Sequence, residues 1–340
     1  MSVFLDACHR KPTPYTPVWL MRQAGRYQPS YRAIREKVSF LELCRNPDLC
    51  AQVAVQAVDD TGVDAAIVFA DILLVLEPLG IGFEFTKDDG PRIAHPVRTG
   101  ADVDRVATEI DAAGSLGYVM ESVRRTRPAS AVRVPLIGFS GAPFTLASYV
   151  IEGGGSRDYT QTKRFMYSDE GAWHELMKRL SSAITRYLVA QIDAGAEAVQ
   201  LFDSWIGALG PDDYARYVQP HVASIFSAIR GRVPAIHFGT GNPALYPLLA
   251  ETGGDVIGVD QRADLGTTWR ALGDVAVQGN LDPVTLLGPR DVMFRKADAV
   301  LASAGGRPGH VFNLGHGVLP GASIEQVRAL VDHVHEASSR

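Results

Sequence analysis

Residues 198–205, Ala198-Val199-Gln200-Leu201-Phe202-Asp203-Ser204-Trp205, pass from an apolar run to a polar end within one short segment. Gly195 bounds the run in front and Asp203-Ser204 bounds it behind, so Ala198–Phe202 reads as a buried strand. A long amphipathic pattern, Gly171–Asp193, precedes it, and a second, Tyr214–Ile229, follows it. The next apolar run is Ala235–Phe238, which again ends in polar or small residues, His237 and Gly239. Helix, strand, helix, strand in this rhythm implies parallel strands joined by crossover helices.

The rhythm extends in both directions. Further strands are read at Pro17–Met21, Ala65–Ala70, Val134–Phe139, Val256–Val259, Val275–Gln278 and Val311–Leu314. Helical patterns lie at Asp48–Asp60, Leu116–Arg125, Pro243–Thr252, Asp291–Ala304 and Ile324–Ala337. Asn46-Pro47 opens one helix with a cap followed by proline, and Gly195 and Gly305 close others. Eight such units are the number for a closed (β/α)8 TIM barrel. The alternative is an open doubly wound sheet, but no GxGxxG or GxxxxGK[ST] follows the first strand. Residues 83–97 read as a β-hairpin inserted after strand two. No repeat, low-complexity segment or Pro/Gly/Ser-rich linker divides the chain, so the expectation is a single catalytic domain over residues 1–340.

Composition narrows the function classes. The 340 residues are 46% hydrophobic and 21% charged, which suits a globule with a large core. A net charge of −5 argues against nonspecific binding to nucleic acid or to an anionic membrane. The three cysteines, Cys8, Cys44 and Cys50, form no CxxC pair, and the N-terminus has no apolar signal core. The apolar stretch 65–83 is interrupted by Asp71, Glu77 and Pro78, so it is no membrane span. A cytoplasmic setting is therefore expected. The charge is uneven: residues 1–37 hold seven basic residues against two acidic ones, a focused basic segment on an acidic protein. That pattern suits an anion site or a solvated arm.

In a (β/α)8 barrel, chemistry gathers at the C-terminal ends of the strands. Here nearly every strand delivers a polar group to that rim: Arg22 to Arg26, Asp71, Ser140, Asp203-Ser204, His237, Asp260, Gln278 and Asn280, then Asn313 with His316. Arg22 and Arg26 flank a glycine turn, where guanidinium forks and the amides of residues 24–26 can hold an anion. Asp71 stands between two apolar runs, a costly place for a charge unless it caps a helix, pairs or does chemistry. Gly153-Gly154-Gly155 suits a mobile lid, a close backbone approach or a plain connection. No GxSxG elbow is present. None of the six lysines (Lys11, Lys37, Lys87, Lys163, Lys178, Lys296) ends a strand, which argues against Schiff-base or pyridoxal phosphate chemistry.

Two long motifs carry a resemblance. Pro17-Val18-Trp19-Leu20-Met21-Arg22-Gln23-Ala24-Gly25-Arg26-Tyr27 resembles the N-terminal signature of the uroporphyrinogen decarboxylase family. Gly138 to Leu146 (GFSGAPFTL) with Glu152-Gly153-Gly154-Gly155-Ser156 resembles its second signature. Phe69-Ala70-Asp71-Ile72-Leu73, Leu201-Phe202-Asp203-Ser204 and Asn313-Leu314-Gly315-His316-Gly317 match further blocks in order. The resemblance implies a TIM barrel, a homodimer, no cofactor and no metal. It implies removal of four acetate carboxyls from uroporphyrinogen III to give coproporphyrinogen III, a step of haem synthesis. It assigns substrate binding to Arg22, Gln23, Ala24, Gly25, Arg26, Asp71, Tyr149, Ser204 and His316, with Asp71, Arg22 and Arg26 as the catalytic set. Phe139 and Phe202 would pack near the macrocycle. Two rivals stand beside it. A cobamide-linked methyltransferase on the same barrel needs a His-x-Cys zinc pair, but His237-Phe238-Gly239 lacks the cysteine and none follows Cys50. A noncatalytic tetrapyrrole-binding protein would use the arginines but not Asp71.

Overall fold

The computed structural model describes residues 2–86, 90–129 and 134–340. Its centre is a curled parallel sheet of seven strands. In sheet order these are β1 (Ala66–Ile67), then β4 (Leu136–Gly141), β5 (Ala198–Asp203), β6 (Ala235–Gly239), β7 (Val256–Gly258), β8 (Ala276–Gln278) and β9 (His310–Val311). The labels β2 (Phe83–Thr86) and β3 (Gly90–Ile93) belong to a separate antiparallel pair with Phe83 opposite Ile93. Residues 87–89, which hold Lys87 and the turn read from sequence, lie outside the described residues.

Alternation along each strand sorts the core into two bodies. Ile137, Ala198, Ile236, Val256, Ala276 and Val311 point into the curl and pack with Trp19 and Met21. Their strand neighbours Leu136, Val199, Leu201, Ile257 and Val277 point out into the layer of helices. Inside the curl, Trp19 Nε1 donates to Gln278 Oε1 at 2.8 Å, and Gln278 Nε2 donates to Gln200 Oε1 at 3.0 Å. Helix Val3–Cys8 covers the N-terminal end of the curl, with Phe4, Ala7 and Cys8 buried in the same cluster. Helix Glu170–Ala194 lies against β4, where Gln191 takes a ladder position. Its side chain accepts from Phe139 N and donates to Phe139 O, each at 2.9 Å. A Cβ on Gly138 would stand 2.7 Å from Gln191 Oε1, so glycine is required there.

The segment expected as the first strand, Pro17–Met21, forms a single parallel bridge, Val18 to Phe312. It nevertheless spans the gap between the sheet edges. Phe312 N donates to Pro17 O at 2.8 Å, and Asp64 N donates to Val18 O at 2.7 Å. Side chains have taken the ladder's places. Val18 N donates to the Asp64 carboxylate, Leu20 N to Gln23 Oε1, and Met21 N to Asn313 Oδ1. The C-terminal helix Ile324–Ala337 clasps this segment: His335 Nε2 meets Asp64 Oδ2 at 2.7 Å, and Thr16 N donates to Ser338 Oγ at 2.9 Å.

The expected helix Tyr214–Ile229 is two helices, Pro211–Tyr217 and Gln219–Ile229, broken at Val218. Pro220 has no N–H to continue the first of them and sits instead in the opening turn of the second. No helix among the described residues is long and apolar enough to cross a membrane.

Candidate active site

The loop after the first segment is held by its own polar side chains. Gly25 N donates to Gln28 Oε1 at 3.1 Å, and Gln28 N returns to Gly25 O at 3.0 Å. Tyr27 Oη donates to Gln23 O at 2.6 Å, and Arg32 donates to the carbonyls of Arg26 and Tyr27. Arg22 sits at φ +62°, left-handed backbone that costs an L-residue about 1–2 kcal/mol. Arg22 and Arg26 are exposed, and no carboxylate among the described residues pairs with either. Two unpaired guanidinium forks thus stand on a turn held by its own hydrogen bonds.

Asp71 follows β1 at the same rim. Its Oδ1 accepts Leu73 N at 2.8 Å, so it does cap the turn into helix Leu74–Leu79. Capping leaves the rest of the carboxyl facing a cavity of about 920 Å³. Burial pushes its pKa up to about 6, against the opposing pull of the Leu73 amide and of the Arg22 charge. The hydrogen bond to Leu73 N therefore does not use up the carboxyl.

The same cavity is lined by Arg22, Ala24, Gly25, Arg26, Tyr149, Ser204 and His316, as well as by Phe139 and Phe202. Tyr149 rises from helix Pro143–Glu152. Burial first, then the neighbouring Asp71 charge, raises its phenol pKa, so it stays a donor. Burial first, then the Arg22 charge, lowers the pKa of His316. The neutral ring accepts Gly317 N at Nδ1 (2.8 Å), which leaves Nε2–H free to donate. Gln23 is the exception among the expected residues. It is buried, and its amide is spent on Leu20 N and Ala65 O, so it shapes the arginine turn from behind the cavity wall.

Gly317 supports Arg22 by having no side chain. A Cβ there would stand 2.4 Å from Arg22 Cδ and 2.7 Å from Cγ, the near part of the side chain. Gly317→Ala should therefore displace the guanidinium and lower kcat/KM by about 10- to 100-fold. The melting temperature should fall as well, because the clash is with the near part of a side chain on left-handed backbone and not with a tip that can swing aside. Steady-state kinetics and a melting curve on one preparation check this.

Other strand-end groups are scaffold. Asp260 accepts Gly241 N and Arg262 N and pairs with Arg262 Nη1 at 2.8 Å. Asn313 Oδ1 accepts Met21 N and Leu314 N, and Asn280 donates to the carbonyls of Asp260 and Ala263. His237 is fully buried on the helix side of β6. The glycine run is a seat for the antiparallel pair: Gly153 O accepts Ile93 N at 3.0 Å, and a Cβ on Gly154 would meet Pro91 O at 2.9 Å. That pair brings Phe85 to the cavity, where it joins Phe40 (ring centroids 4.8 Å apart) and, through it, Phe69 (6.2 Å) in one aromatic wall. Sequence reading missed this wall and the lining arginines Arg32 and Arg35. The charge count of residues 1–37 was the signal for the arginines.

A family model described as "Uroporphyrinogen decarboxylase (URO-D)" matches residues 1–337. A uroporphyrinogen decarboxylase of Carboxydothermus hydrogenoformans is 53% identical over 340 residues, covering 99% of this chain and 97% of that protein. One of Sorangium cellulosum is 52% identical over 334 residues, covering 98% and 95%. Among solved structures, a methyltransferase from Methanosarcina mazei superposes with a TM-score of 0.80 at 21% identity, covering 98% of this chain and 97% of its own. That likeness is one of fold alone. The described residues hold no group of three or more His, Cys, Asp or Glu placed to bind a metal ion, and the three cysteines are all buried.

Proposed function

The chain belongs to the uroporphyrinogen decarboxylase family, and on that footing we propose how its rim cavity divides the work. The enzyme is a carboxy-lyase that removes the four acetate carboxyls of uroporphyrinogen III, leaving methyl groups, in porphyrin and haem biosynthesis. The observation that carries the proposal is one cavity holding a recessed carboxylate, Asp71, and two unpaired arginines, Arg22 and Arg26. The substrate offers the complement: eight carboxylates outside and four pyrrole N–H groups inside.

In this reading Arg22 and Arg26, with the amide of Ala24, hold peripheral carboxylates bidentately. Asp71 accepts the pyrrole N–H groups. Protonation at a pyrrole α-carbon makes the ring a cation, and the C–C bond to the departing carboxyl breaks with its electron pair flowing into that ring. CO2 leaves, a proton reaches the exocyclic carbon to complete the methyl group, and the ring proton is released. Each turn consumes one proton overall. Asp71 stabilises the cation as it forms. Tyr149, Ser204 and His316 Nε2–H orient the reacting arm. The guanidinium is a reluctant acid, so a water or a substrate carboxyl held by the arginines is the better proton source.

The reading also completes the architecture. Residues 17–21 serve as the eighth member of a (β/α)8 ring, the β2–β3 pair is an insertion on it, and residues 1–340 form one catalytic domain. A homodimer in the cytoplasm, acting without nucleic acid or membrane, completes the proposal. Sedimentation of the purified chain tests the dimer. The test of the function is turnover of uroporphyrinogen, read as coproporphyrinogen formed. No metal or organic cofactor takes part in the scheme. Turnover should survive exhaustive chelation and need no added pyridoxal phosphate or nucleotide. A stoichiometric metal whose removal abolishes turnover would overturn that part and revive the metal-dependent barrel.

A further inference from the structure

Asp203 is fully buried at the end of β5, one residue before Ser204, and does not line the cavity. Its Oδ1 accepts from Thr145 Oγ1 at 3.1 Å. Thr145 Oγ1 in turn accepts Trp205 N at 3.3 Å. One hydroxyl therefore ties the Asp203-Ser204-Trp205 turn to helix Pro143–Glu152. Tyr149 lies four residues further along that helix, on the face Thr145 shares. The Trp205 ring packs against the Tyr149 ring at 5.9 Å, which closes the loop of contacts. Both substrate-facing donors, Ser204 and Tyr149, hang from this one buried link.

The far side of Asp203 explains how the carboxyl is held. His237 Nδ1 lies 3.1 Å from Thr252 Oγ1, whose hydroxyl already donates to Leu249 O at 2.6 Å. Thr252 can then only accept, so Nδ1 carries the proton and Nε2 presents a lone pair. That lone pair faces Asp203 Oδ2 at 3.7 Å, and neither atom has another hydrogen-bond partner. Two buried acceptors face to face are tolerated only with a proton between them. Burial pushes the Asp203 carboxyl upward, consistent with a shared proton.

We propose that Asp203 and Thr145 are positioning residues for the decarboxylation, with His237 holding Asp203 so that Thr145 sets Ser204 and Tyr149 in register against the substrate. The inference rests on the assignment of Ser204 and Tyr149 to the substrate. It assigns the chain's buried Asp203–His237 pair a purpose outside the cavity: an anchored, neutral acceptor for one hydroxyl.

The test is a set of variants with kcat, KM and melting temperature measured together on uroporphyrinogen. Thr145→Val keeps the volume and deletes both hydrogen bonds. It should lower kcat about tenfold with KM within about twofold, because misregister is felt most where the reacting arm is oriented. Thr145→Ser should recover most of the rate. Asp203→Asn should stay within about threefold of the parent, because its carbonyl still accepts from Thr145 and its amide donates to His237 Nε2. In a Tyr149→Phe, Ser204→Ala background, Thr145→Val should add less than about twofold, since what it positions is gone. An equal loss in both backgrounds, or an unaltered kcat in Thr145→Val, would overturn the inference while leaving the site assignment intact. Silent Tyr149→Phe and Ser204→Ala single variants would sink the site assignment and the inference together.

Discussion

Asp71→Asn is expected to lose about 10²- to 10³-fold in kcat while gaining stability at neutral pH. The rate loss follows from removing the charge that meets the pyrrole cation, with volume and one acceptor oxygen kept. The cap survives, because asparagine accepts the Leu73 amide as well as aspartate does. The stability gain follows from burial. The carboxyl's pKa is raised in the folded protein from its ordinary 3.8 to about 6, so folding disfavours the charged form. Its contribution to stability is fully present below about pH 4 and is lost as pH rises through about 6. Above that, an ionised Asp71 costs the fold on the order of 2–3 kcal/mol, which the amide does not. The variant should therefore melt higher than the parent at pH 8, and the difference should vanish at pH 4. In the parent, kcat/KM should rise with pH through about 6 as the carboxylate forms, and the Asn variant should lack that limb. Single-turnover decarboxylation and melting curves at both pH values decide the matter. A stable variant with an unchanged rate would confine Asp71 to capping.

Arg22→Ala and Arg26→Ala should each lower kcat/KM by about 10- to 150-fold, the loss of one charge-assisted carboxylate contact of about 1.5–3 kcal/mol. The pair should be roughly additive if the two forks hold separate carboxylates. Lysine should restore only part of the loss, since it lacks the planar fork. Arg22 carries a second, diagnostic expectation. Its left-handed backbone is strain, so Arg22→Gly should raise stability by about 1 kcal/mol while activity falls as in Arg22→Ala. Loss of function with a gain in melting temperature is a pattern a purely structural arginine does not produce. If both alanine variants kept the parent's kcat/KM, the N-terminal anion site would be wrong.

What was readable in the sequence followed from local chemistry. Ala198–Phe202 and Ala235–Phe238 fell where expected because each is an apolar run with clear stops, and Asp48–Asp60 because Asn46 and Gly62 cap it. Pro17–Met21 misled because its amides are satisfied by Asp64, Gln23 and Asn313, partners up to hundreds of residues away. Helices such as Pro29–Arg35 and Phe40–Cys44 are too short to show a period. At the site, Arg22, Asp71 and His316 were legible as polar groups ending strands. Gln23 looked equivalent, but whether a buried amide faces a ligand or its own backbone is a matter of rotamer, which no motif records. The aromatic wall of Phe40, Phe69 and Phe85 comes from three separate segments and leaves no joint signature in any of them.

Helix Val3–Cys8 has a consequence for traffic. With Phe4, Ala7 and Cys8 wedged under Trp19 and Ile137, the N-terminal end of the curl is stoppered, and the Trp19–Gln278–Gln200 chain plugs its waist. The vessel is single-ended. On the role proposed for Asp71, substrate, carbon dioxide and product share one doorway, and a macrocycle with four arms to trim must turn to offer each of them to the same carboxylate.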